Sequence, residues 1–295
     1  MSSPAGTTSL SEGHRRVSEA VILMAGSGSR FRGADKNVLK PLAPVLGRPL
    51  IVYILSALLQ ARIRKVNIVV GYESERLSAA VSQLAPPEMA LDFIYNPAWE
   101  RQNGVSVLAV ADSVAAPFLL AMSDHLFENA ILARLISAAD LNRLNLAVDK
   151  KLDSIFDLND AMKIQTRGER IVAIGKTLAT YDAIDTGLFV CPSGIFDYLE
   201  QARVKGDCSL ADGVRLMARN GKARAIDIGD AWWQDVDTPE MLAHASEVIS
   251  NGPRRHLLAG GTESPRKIRK QGAGSTTRPR PSPKGRSQKR LRRAW

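Results

Sequence analysis

The chain has 295 residues, 45% hydrophobic and 24% charged, enough for one large domain or two small ones with a sizeable buried core. That balance excludes a collagen, a coiled coil and a disulfide-stapled miniprotein. The formal charge is +10, but residues 251–295 hold 14 Lys or Arg and one acid, Glu263, so the preceding 250 carry 26 basic and 29 acidic residues and are nearly neutral.

Residues 1–19 are small and polar, with His14, Arg15 and Arg16 but no apolar stretch behind them, and read as a flexible leader rather than a secretory signal. No apolar run approaches the roughly eighteen residues that cross a bilayer. Cys191 and Cys208 lie far apart without a C-x-x-C or a neighbouring His, which fits a reducing compartment and no zinc site. The expectation is a cytoplasmic protein.

From residue 20 to about 247, short wholly apolar runs alternate with longer amphipathic ones, the pattern of strands buried on both faces and covered by helices. The first strand is 20–24, Ala-Val-Ile-Leu-Met. Pro49, suited to the first position of a helix, precedes Ile51, Ile54, Leu55 and Leu58 at helical spacing. The pattern then predicts a strand at 66–70, a helix at 73–83, a strand at 91–95, a helix at 105–114, a strand at 118–121, a helix at 129–138 and a strand at 146–148. Past Asp149 the runs become irregular. Residues 161–165 against 171–174, around Arg167-Gly168, read as an antiparallel pair, and 210–218 reads as a helix. The fold class is α/β, with a mostly parallel central sheet and a mixed second half, in one domain over residues 20–250. The basic tail, 251–295, has five Gly or Pro between 272 and 283 and few apolar residues; it cannot offset chain entropy by burial, and disorder is expected.

The sharpest chemical signal is the turn that leaves the first strand, Leu23-Met24-Ala25-Gly26-Ser27-Gly28-Ser29-Arg30, with Lys40-Pro41-Leu42 following. Small residues let successive backbone N–H groups face an anion, and a nearby Arg and Lys supply countercharge. A dinucleotide fingerprint would need a third glycine where Phe31 stands, and an acid about twenty residues on, where the chain is an apolar helix. A phosphate loop of the Walker kind would close on Gly-Lys-Ser or Gly-Lys-Thr, which Ser29-Arg30-Phe31 is not.

The remaining pattern, Leu-x-Ala-Gly-x-Gly-x-Arg followed by Lys-Pro-Leu, resembles the nucleotidyltransferases that join an NTP to a phosphorylated sugar or alcohol. Asn96-Pro97-Ala98-Trp99, Asn103-Gly104-Val105-Ser106, Met122-Ser123-Asp124-His125, Asp185-Thr186-Gly187 and Trp233-Gln234-Asp235-Val236-Asp237-Thr238 follow in that family's order over residues 20–245. Within it the set is most similar to the inositol-1-phosphate cytidylyltransferases, with phosphocholine, aminoethylphosphonate and sugar-1-phosphate enzymes as neighbours.

The resemblance implies a three-layer Rossmann-like fold of the GT-A type, and attack of an alcohol phosphate on the α-phosphorus of CTP with loss of pyrophosphate. The nucleophile is already an anion, so catalysis should rest on charge neutralisation and positioning rather than on a strong base. Asp124 and Asp235 would hold Mg2+, which needs only one or two carboxylates besides substrate oxygens and water. Arg30 and Lys40 would be catalytic, on the β- and γ-phosphates. Lys36 competes with Lys40 for that place, and Pro41-Leu42 favours Lys40. Leu23, Ala25, Gly26, Ser27, Gly28, Asn103, Gly104, Ser106 and Asp124 would bind the nucleotide, although Asn103 and Ser106 are also preferred helix caps. Lys176 would hold the acceptor, with Lys163, Asp185, Thr186 and Gly187 beside it; Lys163 also suits an edge strand guarded against aggregation. Asp149 is a weaker acceptor contact. Asp237 reads first as a turn residue, His125 as a support to the metal site, and Trp232 and Trp233 as core or cleft wall.

The competing, non-enzymatic reading is a polyanion-binding protein acting through its tail. Apart from Trp295 that tail has no interleaved aromatics, which argues against base stacking on nucleic acid. Docking on an anionic membrane surface is the other use its charge suggests.

Overall fold

The computed structural model describes residues 16–32 and 37–251; the leader as far as residue 15, Lys36, and the tail from residue 252 lie outside the described residues. Strand β1 (Glu19–Met24) is buried at every position. After the glycine loop come one helical turn, α1 (Ser29–Arg32), a 3-10 turn at Lys40–Leu42 and a short ribbon of β2 (Pro44–Val45) and β3 (Arg48–Pro49). Pro49 therefore ends this ribbon and precedes α2 (Leu50–Gln60) as its N-cap rather than starting it. Next are β4 (Lys65–Val70), α3 (Ser74–Leu84), β5 (Ala90–Tyr95), α4 (Asn103–Leu108), β6 (Phe118–Met122) and β7 (His125–Phe127). The helix expected over 105–114 stops at Leu108, and the chain continues in turns closed by Val110 N–H on Val107 O and Val114 N–H on Val110 O. Asp112 and Ser113, poor helix interiors, stand in that stretch.

Helix α5 (Asn129–Ala138) keeps the bounds its spacing predicts, and β8 (Leu144–Asp149) is wholly buried. A hairpin of β9 (Lys163–Arg167) and β10 (Arg170–Gly175) fills the irregular region, followed by the long β11 (Ala183–Cys191). Helices α6 (Ile195–Ala202) and α7 (Leu210–Arg219), strands β12 (Ala223–Asp227) and β13 (Trp233–Asp235), and α8 (Pro239–Asn251) complete the described chain.

Nine strands form one sheet in the order β5-β4-β1-β6-β11-β8-β12-β10-β9. The first four run parallel, whereas β11 is antiparallel to β6, β8 and β9, and β10 is antiparallel to β9 and β12. Alternation along β1 sends Ala20, Ile22 and Met24 to one apolar layer, with α2 and α5, and Val21 and Leu23 to the other, with α6 and α7. Strand order reverses between β4 and β6, on the two sides of β1. That reversal opens the crevice at the carboxyl ends where open α/β sheets take ligands.

Candidate active site

The glycine loop leaves β1 at this crevice. Gly28 has φ +61°, a conformation that favours glycine, and a side chain there would come within 3.0 Å of the Lys40 Cβ. Among the described residues, nothing accepts from the backbone N–H groups of Gly26, Ser27 and Gly28. Gly26 and Gly28 border a cavity of about 220 Å³ that Lys40, Trp99, Asn103, Ser106 and Asp124 also line. Trp99 is brought there by the Asn96-Pro97-Ala98 turn, since Asn96 Oδ1 accepts from Ala98 N–H at 2.9 Å and its Nδ2 donates to Ser106 Oγ at 3.0 Å. Asn103 caps a helix other than its own: its Oδ1 accepts from Leu210 N–H, the first residue of α7, at 2.8 Å. Gly104 lies against that junction, where a Cβ would stand 2.6 Å from Cys208 O.

Asp124 leaves β6 and Asp235 ends β13, and the small antiparallel ladder of β7 and β13 brings them together. Asp235 pairs with His125, while Val236 N–H donates to Asp124 O at 2.9 Å. Lys40 Nζ donates to Asp124 Oδ2 at 2.6 Å and to Asp237 Oδ1 at 2.5 Å. Arg30 reaches Asp237 Oδ2 at 2.6 Å and Asp160 Oδ2 at 2.7 Å. Asp237, expected as a turn residue, is therefore the carboxylate that joins the two cations. Val236 is fully buried, and alternation places Asp235 and Asp237 on the same side of it; that alternation was the available signal.

Burial would raise the Asp124 carboxyl, but Lys40 and the hydrogen bond from His125 Nδ1 (2.7 Å) hold it well below the usual carboxylate range. Burial opposes the charge on His125, and the Asp124 contact more than offsets this, so the imidazolium is favoured. Its ring stacks on Trp233, at 5.8 Å and 13°, and Trp233 Nε1 donates to the buried Asp149 at 2.9 Å. Asp149 is also held by Lys151 at 2.8 Å, so it supports the wall rather than facing a ligand. Gly187, with φ +73°, admits the His125 ring; a Cβ there would lie 2.6 Å from Nε2.

A divalent cation fits the donor set. Asp235 is pushed up, first by burial, and no described side chain neutralises it through an ion pair, while Asp124 is ionised beside it. Among the described residues no group of three or more His, Cys, Asp or Glu forms a cage. Two carboxylates completed by substrate oxygens and water match a magnesium-like ion.

An adjoining cavity of about 270 Å³ is bordered by Asp124, Asp160, Lys176, Asp185, Gly187 and Asp235. Burial raises the Asp185 carboxyl to about 6, against the Gly187 N–H bond that it accepts at 2.7 Å. Lys176 Nζ donates to Asp160 Oδ1 at 2.6 Å. This contact, with that of Arg30, holds Asp160 below the usual carboxylate range.

Two expected acceptor contacts lie elsewhere. Thr186 is fully buried and its hydroxyl donates to Ala147 O at 2.8 Å, because it faces into the ladder of β11 with β8. Lys163 is buried, and its ammonium donates to the carbonyls of Asn159, Ala161 and Lys176. Asp160 was missed outright; it sits in an irregular connection with no flanking motif.

The family model described as a MobA-like NTP transferase domain matches residues 20–173, just over half of the sequence. The chain belongs to that family. A curated relative, the bifunctional IPC transferase and DIPP synthase of Aquifex aeolicus, is 31% identical over 235 residues, covering 79% of this chain and 52% of the relative. Its counterpart in Rubrobacter xylanophilus is 31% identical over 232 residues, 78% of this chain and 51% of that one. The chain thus spans about half the length of these relatives. The solved inositol-1-phosphate CTP transferase of T. maritima superposes with a TM-score of 0.74 at 25% identity, over 84% of this chain and 99% of that one. A UDP-glucose pyrophosphorylase from Acinetobacter baumannii, at 18% identity and TM-score 0.63, shares the fold.

Proposed function

We propose that the protein is a Mg2+-dependent cytidylyltransferase that transfers CMP from CTP to a phosphorylated alcohol, 1L-myo-inositol 1-phosphate first, giving CDP-inositol and pyrophosphate. The observation that carries this reading is the convergence of Asp124 and Asp235 beside Lys40 and Arg30 at the end of β1 and β6. Likeness to the T. maritima enzyme and to the IPC transferases supports CTP as donor and inositol phosphate as acceptor.

In this reading the glycine loop takes the triphosphate, and Lys40 and Arg30 leave their carboxylate partners to neutralise the departing pyrophosphate. Asp124 and Asp235 would hold the magnesium ion, which would supply charge neutralisation at the phosphates. His125 keeps Asp124 ionised and oriented. Lys176 and Asp185 face the acceptor, whose phosphate needs to be held in line rather than deprotonated. Asn103 and Ser106, fixed by Leu210 and Asn96, wall the base and ribose side.

The test mixes the full-length protein with Mg2+, each NTP in turn and inositol 1-phosphate, and follows pyrophosphate release. Release with CTP that disappears in Asp124→Ala is the expected result. Parallel reactions with phosphocholine, aminoethylphosphonate and sugar 1-phosphates fix the acceptor. No release with any pair, alongside salt-sensitive binding to polyanions, would favour the binding-protein reading.

A further inference from the structure

One carboxylate joins the two halves of the cleft. Asp160 Oδ2 accepts from Arg30 at 2.7 Å and Oδ1 accepts from Lys176 at 2.6 Å, so a cation assigned above to the nucleotide and one assigned to the acceptor converge on a single anionic position. The spacing of two carboxylate oxygens is close to that of two phosphoryl oxygens, and a phosphate can make the same pair of charge-assisted contacts. The three side chains are 56%, 40% and 49% exposed, so a ligand in the cleft can reach them.

The placement of Asp160 is enforced from beneath. Lys163 donates to the carbonyls of Asn159 (3.1 Å) and Ala161 (3.3 Å), the residues on either side of Asp160, and to the carbonyl of Lys176 (3.0 Å). One buried ammonium therefore fastens the peptide bearing the acid to the strand end bearing the base. A lysine that only guarded a sheet edge would extend into water. The preceding turn adds two more ties, Asp160 N–H to Asp157 Oδ1 at 3.3 Å and Ala161 N–H to Asp157 O at 3.1 Å.

We propose that Asp160 is a positioning residue that acts as a built-in anion: it gathers Arg30 and Lys176 at a phosphoryl position where the nucleotide and acceptor halves of the cleft meet and is displaced from them when a substrate phosphoryl group arrives. The assignment of the acceptor side rests on the function proposed above, but the competition between Asp160 and a phosphate does not. Exposed ion pairs are individually weak, so a dianion with two contacts displaces the carboxylate. The negative charge of Asp160 nevertheless remains close by and weakens the binding of every phosphate at that position.

Inorganic phosphate is the probe, titrated calorimetrically into the full-length protein at low ionic strength with neither nucleotide nor acceptor added. Asp160→Asn should bind it about five- to tenfold more tightly than the unaltered protein, the scale of one charge removed at contact distance in a water-rich site. The gain should shrink in 0.5 M salt, persist in Asp160→Ser, be absent in Asp160→Glu and vanish when Lys176→Met is added. In turnover, Asp160→Asn should lower KM for the acceptor without raising kcat. Equal or weaker phosphate binding by folded Asp160→Asn and Asp160→Ser would overturn the proposal. Lack of pyrophosphate release from CTP would instead overturn the proposed function and leave the phosphate result standing.

Discussion

Asp235 and Asp124 are neighbours with opposite electrostatics: burial raises the first, while Lys40 and His125 lower the second. Asp235→Asn should therefore raise the unfolding temperature in EDTA and lose the further rise that Mg2+ is expected to give the unaltered protein under the proposed function, by the linkage of binding to stability. In a pyrophosphate-release assay, Asp124→Asn, Asp235→Asn and Lys40→Met should each lower kcat by ~10²–10³, the usual cost of losing one preorganised contact to developing charge. Asp185 gives a pH prediction. Its folded value of about 6 lies above the ordinary value of 3.8, so ionisation costs nothing below about pH 4 and its full amount above about pH 6. Stability is lost as pH rises through that window, on the order of 1–3 kcal/mol. Asp185→Asn keeps an acceptor for Gly187 N–H and should be more stable than the unaltered protein at pH 8 but not at pH 4, in thermal unfolding at both; an equal difference at the two would refute this. That Asp124, Asp235, Lys40 and Lys176 would come to one cleft was legible because each stands in a short run with its neighbours in sequence. Asp160 was not, since its partners lie 130 and 16 residues away, and Lys163 was misread because sequence shows a charge but not the carbonyls that absorb it.

Among the elements, α7 has the best-formed start: Ser209 and Asp212 make a reciprocal capping box, and Asn103 from α4 supplies a further acceptor for Leu210 N–H. Ser209→Ala should lower stability by about 1 kcal/mol, or ~2–4 °C in a chain of this size, read by calorimetry. Because the same junction braces the wall formed by Asn103 and Ser106, KM for CTP should rise while kcat holds. The long apolar strands and α5 could be read from periodicity alone, since a strand buried on both faces leaves an unbroken apolar run. The ladder of β7 with β13 could not. Three residues per strand carry no period, and these two strands exist because their pairing is closed across 110 residues of sequence by the fold around them. Helix α4 was overextended for the converse reason, as apolar valines continue the helical spacing after the hydrogen bonds have become turns.

At the scale of the whole molecule, the near-neutral body and the basic tail are separable in sequence, and every described residue of the site lies in the body. A chain ending at Asn251, where α8 ends, should keep the kcat of the full length. If the tail docks on anionic lipid, only the full chain should pellet with acidic vesicles at low salt; equal pelleting would dispose of that role. Among the described residues no helix is long and apolar enough to cross a membrane. The α/β class and its parallel first half were visible in the alternation of runs, whereas the antiparallel insertion of β11 was not, because direction is set by crossover geometry rather than by composition. That insertion bears on biogenesis. Strand β6 gains its second neighbour only when β11 is made, about seventy residues later. At ~5–20 residues per second on a ribosome, its edge stays without that partner for several seconds of every synthesis, the interval in which a nascent chain is most exposed to mispairing and to capture by a holdase chaperone.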